Sequence, residues 1–102
     1  MRPIHLARLD KTRPVVILTR EAVRPHLRWV TVAPVTSQVR GLSTEVEVGP
    51  VNGLDQPSAI SCDNVTTVPV SAIGRLVGYL SAAQESALAR AISTAYDLDR
   101  QV

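Results

Sequence analysis

The chain contains no phenylalanine, and Trp29, Tyr79 and Tyr96 are its only aromatic residues. That shortage argues against two function classes. A polyproline-binding module needs an aromatic-lined groove, and single-strand binders of the OB type stack successive bases on aromatic rings. Nucleic-acid binding here is therefore expected to depend on arginines, hydroxyls and backbone groups. Cysteine is as scarce. Cys62 stands alone, so no internal disulfide can form and a reducing cytoplasm is expected. No apolar run is long enough to cross a bilayer, so no membrane partner is expected. The opening Met1-Arg2-Pro3-Ile4-His5 soon meets Arg8 and Asp10, unlike the apolar stretch of a signal peptide. There is no repeat or low-complexity tract. His, Cys, Asp and Glu do not cluster at metal-ligand spacing, and no cofactor is expected.

What is present is ordinary globular material. The 102 residues, 45% hydrophobic and 20% charged, support one domain spanning 1–102. A core of that size is modest, and small folds often gain stability from a partner chain. The net charge of +2 and pI near 9.2 permit a nucleic-acid partner without requiring one. The basic residues are ten arginines and the single Lys11. Arginine presents a planar fork matched to phosphate; arginine-rich codon usage accounts for the bias as readily.

The pattern along the chain is mostly β. Ile4 to Leu9 reads as a first strand, and a second starts at Pro14 with the β-branched run Val15-Val16-Ile17-Leu18. Glu21 to Arg28 is a polar connection, and Trp29 to Val35 is a third strand followed by a loop to Gly41. Thr44 to Val48 alternates with period two. Gly49-Pro50 and Asn52-Gly53 are turn signals. Ser58 to Val68 holds one or two strands around Cys62, and Leu76 to Leu80 is a last short strand. Ser81-Ala82-Ala83-Gln84 then matches a capping box. With Leu88, Ala91, Ile92 and Ala95 at helical spacing, it predicts a helix from about Ala82 to Leu98. The expected fold is mainly β (α+β), a small barrel with one packed helix.

Five ordered segments resemble one family. They are Ile4-His5-Leu6-Ala7-Arg8-Leu9-Asp10, Arg13-Pro14-Val15-Val16-Ile17-Leu18-Thr19-Arg20, Val30-Thr31-Val32-Ala33-Pro34-Val35-Thr36-Ser37-Gln38, Cys62-Asp63-Asn64-Val65-Thr66-Thr67-Val68 and Ile73-Gly74-Arg75-Leu76-Val77-Gly78-Tyr79-Leu80-Ser81. In order and spacing they are similar to the MazF/PemK toxins; each segment alone is weak, and their order is the specific part. The resemblance implies an SH3-like barrel of the CcdB/PemK kind, a homodimer, sequence-selective cleavage of single-stranded RNA and a MazE-like antitoxin whose flexible tail occupies the RNA groove. It carries the catalytic roles onto Arg13 and Thr36. Lys11, Ser37, Gln38, Arg40, Asp63, Asn64 and Thr66 are the residues expected to contact RNA. Two departures stand out: only Lys11-Thr12 separates Asp10 from Arg13 where relatives carry a longer loop, and Thr66 stands where many have arginine.

The chemistry suits those residues. RNA cuts itself when its 2′-hydroxyl attacks the adjacent phosphorus. Preorganised donors aimed at the developing charge are often the largest catalytic contribution. An arginine fork and a threonine hydroxyl fit that task, and an intramolecular nucleophile needs no metal. Read without the resemblance, Arg13 is a surface residue at a strand start and Thr36 a turn hydroxyl. His5 and His26 as an acid–base pair is a weaker reading; His5 is expected at a groove rim or dimer seam, His26 in solvent. Cys62 is expected to be buried and inert in a strand, and Glu45 and Glu47 to share a solvated face. Two alternatives remain: a CcdB-like topoisomerase poison, disfavoured because no tryptophan follows Trp29, and a catalytically decayed antitoxin-binding module.

Overall fold

A computed structural model describes residues 1–98. Residues 99–102, part of the tryptophan-free tail noted above, lie outside the described residues. Seven strands run in order: β1 (Pro3–Arg8), β2 (Thr12–Ile17), β3 (Trp29–Thr36), β4 (Glu45–Val48), β5 (Ser58–Ser61), β6 (Thr66–Pro69) and β7 (Ile73–Tyr79). One helix, α1 (Ala82–Ala95), closes the described fold, and short 3₁₀ turns at Arg24–His26, Pro50–Asn52, Cys62–Asn64 and Val70–Ala72 link the strands. The antiparallel sheet has the order β4-β5-β3-β2-β1-β7, with β6 also on β3. β3 is the hub. Its first residues pair with β6, from Trp29 opposite Pro69 to Val32 opposite Thr66, and its last, Val35 and Thr36, pair with β5. The sheet therefore curls into a partial barrel, as expected.

The run Val15-Val16-Ile17 is unbroken by polar residues because both faces of β2 are covered. Val15 and Ile17 point into one core with Ala7, Val30, Val32 and Val68. Val16 points into the other, with Ile4, Ala33, Val35, Val46, Ile60, Leu80 and the helix residues Leu88 and Ala91. Burying each of these valines contributes roughly 1.5–3 kcal/mol over leaving it exposed.

Several boundaries differ from the sequence expectation. β2 begins at Thr12 rather than Pro14, because the β1–β2 connection is only Leu9-Asp10-Lys11 and pairing resumes with Arg8 opposite Thr12. β7 begins at Ile73 rather than Leu76. Its pairing with β1 absorbs two register shifts, so Gly74 sits within the strand instead of before it. α1 stops at Ala95 rather than Leu98: Asp97 adopts φ +56°, a left-handed conformation that ends a helix. Cys62 is buried, but in a 3₁₀ turn rather than a strand. At the N-terminus of α1 the capping box forms as read. The Gln84 N–H donates to Ser81 Oγ at 3.1 Å, and the Ser81 N–H donates to Gln84 Oε1 at 2.9 Å.

Candidate functional site

β2 and β3 run antiparallel, with Val15 opposite Pro34. Continued two residues outward, that register sets Arg13 opposite Thr36, two residues along on the same faces of their strands. The strands thus bring together two residues distant in sequence at one mouth of the barrel. Two adjoining cavities open there, of about 440 and about 520 Å³, and Arg13, Thr36 and Gln38 border both. Lys11, Ser37, Asp55 and Gln56 line the first. Asp10, Arg40, Glu45, Asp63 and Asn64 line the second.

The Arg13 side chain is 26% exposed, and its Nη2 donates to Asp10 Oδ2 at 3.0 Å. Its Nε is buried with no acceptor. A buried N–H without a partner is costly, so this guanidinium is held with one donor unused. Thr36 Oγ1 accepts the Gln38 N–H at 3.0 Å, a hydroxyl turn of a common kind. That bond occupies a lone pair and leaves the hydroxyl hydrogen free to donate.

Of the residues expected to contact RNA, Lys11, Ser37, Gln38, Arg40, Asp63 and Asn64 all line one cavity or the other. Thr66 lines neither; it sits on β6 opposite Val32. Asp63 Oδ2 accepts the Thr44 hydroxyl at 2.6 Å, and Asn64 Nδ2 donates to Ser61 Oγ at 2.7 Å. Both side chains are thereby oriented while remaining exposed. His5 lines neither cavity. Its Nδ1–H donates to the Gly74 carbonyl at 2.9 Å, tying β1 to β7. His26 is exposed on the Arg24–His26 turn, in solvent as expected.

Glu45 was expected on a solvated face with Glu47; the structure gives it another role. Its carboxylate accepts the backbone N–H groups of Arg40, Gly41 and Leu42, the Gly41 bond at 2.8 Å, and so folds the β3–β4 connection against the second cavity. Glu47 remains exposed. Asp55 and Gln56 carried no sequence signal, and the period-two spacing of Glu45 and Glu47 did not point to the site. Glu45 reaches the site from the first position of β4, opposite Ser61, and Asp55 and Gln56 from the β4–β5 connection, so their placement depends on strand pairing. Lys11, Arg13 and Arg40 face Asp10, Asp55, Glu45 and Asp63 across the two cavities, so the mouth is mixed in charge. Among the described residues no group of three His, Cys, Asp or Glu side chains is arranged to hold a metal ion, and no helix is long and apolar enough to cross a membrane.

Residues 4–96 match the family model described as the PemK-like, MazF-like toxin of type II toxin-antitoxin system. The chain belongs to this family. The resemblance carried by the ordered motifs is confirmed. An endoribonuclease, MazF3, of Mycobacterium tuberculosis is 68% identical over 99 residues, covering 97% of this chain and 96% of that protein. The solved M. tuberculosis toxin MazF-mt6 superposes with a TM-score of 0.94 at 67% identity, over 97% of this chain and 100% of that one. A mycobacterial endoribonuclease solved in complex with its cognate antitoxin shares the fold, with a TM-score of 0.86 at 23% identity, over 97% of this chain and 95% of that one.

Proposed function

We propose that this PemK/MazF-family chain is the toxin of a type II pair and a metal-independent endoribonuclease. It cleaves single-stranded RNA sequence-selectively and so stops translation and growth. The observation that carries the reading is that Arg13 and Thr36 together border both cavities, with the Arg13 Nε–H unpartnered. The RNA 2′-oxygen attacks phosphorus, the bond to the 5′-oxygen breaks, and the products are a 2′,3′-cyclic phosphate and a 5′-hydroxyl. Arg13 donates to a phosphoryl oxygen as negative charge builds there. The Thr36 hydroxyl donates to the same charge. Lys11 and Arg40 hold flanking phosphates. Ser37, Gln38, Asp63 and Asn64 offer donors and acceptors to the edges of splayed bases. Thr66 lies outside both cavities and is reached only by a longer strand.

The chain works in the cytoplasm, where RNA is present and a lone thiol stays reduced. Its partners are an antitoxin and a second copy of itself. β7 is a terminal strand of the sheet with Leu76 and Tyr79 exposed, which supports a seam there, and sedimentation at micromolar concentration is expected to give a dimer. The decisive experiment is digestion of end-labelled RNA in excess EDTA. Cleavage with cyclic-phosphate ends is expected. Loss of cleavage in EDTA with rescue by magnesium sinks the mechanism, and no cleavage in any buffer leaves the topoisomerase-poison and decayed-module readings standing.

A further inference from the structure

The far end of β3 has the makings of a second surface. Trp29, the first residue of β3, is 57% exposed although it is the chain's one tryptophan. It lies opposite exposed Pro69 on β6, and two residues along, on the same face, Thr31 lies opposite Thr67 with their hydroxyls 2.9 Å apart. The result is a two-strand strip carrying an indole and a hydroxyl pair. The connection that feeds into it, from Arg20 to Arg28, holds Arg20, Arg24, His26 and Arg28 against the single acid Glu21. Among the described residues none of these three arginines is ion-paired. Arg24 is anchored by its Nε donating to the Thr19 carbonyl at 2.8 Å, which leaves its terminal nitrogens for another acceptor. The Val70 N–H donates to the Arg28 carbonyl at 2.8 Å, fastening this segment to the end of β6.

We propose that this face is a second RNA-contact surface, separate from the Arg13–Thr36 cavities, that holds the strand flanking the cut. The proposal rests on the ribonuclease reading. An exposed indole offers a π-face to an unpaired base, a contact that any base can make. Arginines without an ion pair in the connection leading into it match the phosphate backbone in charge and geometry. No polar requirement of the fold accounts for a large apolar ring left in solvent at the end of a connection that carries three arginines without an ion pair. Trp29 and Thr36 are seven steps apart along β3, roughly 23 Å at ~3.3 Å per residue. A short oligonucleotide seated in the cavities does not reach this face; a longer one does.

Because Trp29 is the one tryptophan, its emission reports on this face alone. The probes are 2′-O-methyl RNAs of 6 and 30 nucleotides, which lack the attacking hydroxyl. The 30-mer is expected to quench the emission and the 6-mer to leave it unchanged. Replacing Arg20, Arg24 and Arg28 together by alanine should weaken 30-mer binding roughly 10-fold or more and reduce the slope of log K against log salt by about 2. Binding of the 6-mer, and cleavage of an unmodified 6-mer that the parent cuts, should not change. The proposal is overturned by 30-mer binding, seen as anisotropy, without a change in emission, or by a triple variant that binds the 30-mer like the parent. It is equally overturned if emission shifts on dilution of the protein alone, which puts a second copy on this face, or with an acidic antitoxin-tail peptide but not RNA. Failure of the ribonuclease reading shows separately, as a parent that cuts no RNA at all.

Discussion

Asn52 and Gln84 join their side-chain amides head to tail. Asn52 Nδ2 donates to Gln84 Oε1 at 2.7 Å, and Gln84 Nε2 donates back to Asn52 Oδ1 at 3.1 Å. Asn52 is 3% exposed, and its amide also takes the Gly49 N–H and donates to the Tyr79 carbonyl. Gln84 adds a bond to the Glu47 carbonyl. One pair thus ties the β4–β5 turn, the end of β7 and the start of α1. Gly78 passes so close beneath the turn that a Cβ there would run into the Asn52 carbonyl. Asn52→Ala is expected to cost about 2–4 kcal/mol, because it strands several buried groups at once. Gln84→Ala should cost less, and the double variant less than the sum of the two. Urea denaturation of the three variants checks this; strictly additive losses would show that the amides do not act as a unit.

Arg13 should matter more to the transition state than to binding, since charge on the phosphoryl oxygens grows only as the 2′-oxygen attacks. Arg13→Ala is expected to lose roughly 10²–10³ in single-turnover rate while remaining folded. Arg13→Lys should recover little, because the planar fork and the Nε donor are gone. Thr36→Val should show a smaller drop. His5→Ala and His26→Ala should keep cutting, as neither residue borders the cavities. An Arg13→Ala variant as fast as the parent moves the site elsewhere.

The short turn Leu9-Asp10-Lys11 places no long lid over the cavities. A wider ligand therefore fits, and a recognition sequence displayed in an RNA hairpin loop should be cut faster than the same sequence in linear RNA. Equal rates on the two substrates, measured with one enzyme preparation, remove the basis for this expectation.

Burial, then the neighbouring Asp63 carboxylate, pushes the Cys62 thiol up from 9.0 to about 11. A thiol held protonated is a poor nucleophile, so iodoacetamide at pH 8 should leave the folded protein unmodified and label it once urea unfolds it. The same shift has a sign for stability. Below pH 9 both states carry the protonated thiol and stability is unaffected. Between pH 9 and 11 the unfolded chain loses the proton first, and stability falls by at most about 2–3 kcal/mol. Denaturation across that range should show the fall in the parent and not in Cys62→Ala. Matching slopes would place the titration on another group.

The sequence by itself determined the kinds of element and the family. The β-branched run at Val15 to Leu18, the alternation at Thr44 to Val48 and the Ser81–Gln84 cap are local patterns, and local patterns carry periodicity and end signals. The ordered motifs carried Arg13 and Thr36 as candidates; these two and all the expected contacts but Thr66 line the two cavities. Which strand lies beside which was decided by the tertiary structure, because pairing is a long-range choice that periodicity does not encode. The meeting of Arg13 and Thr36 at two shared cavities, the Glu45 carboxylate spent on three N–H groups and the Asn52–Gln84 amide pair all depend on it. So does the exposure of Trp29. Trp29 stays in solvent because β6 pairs along that end of β3 and the other face of the strand, with Val30 and Val32, already fills the interior.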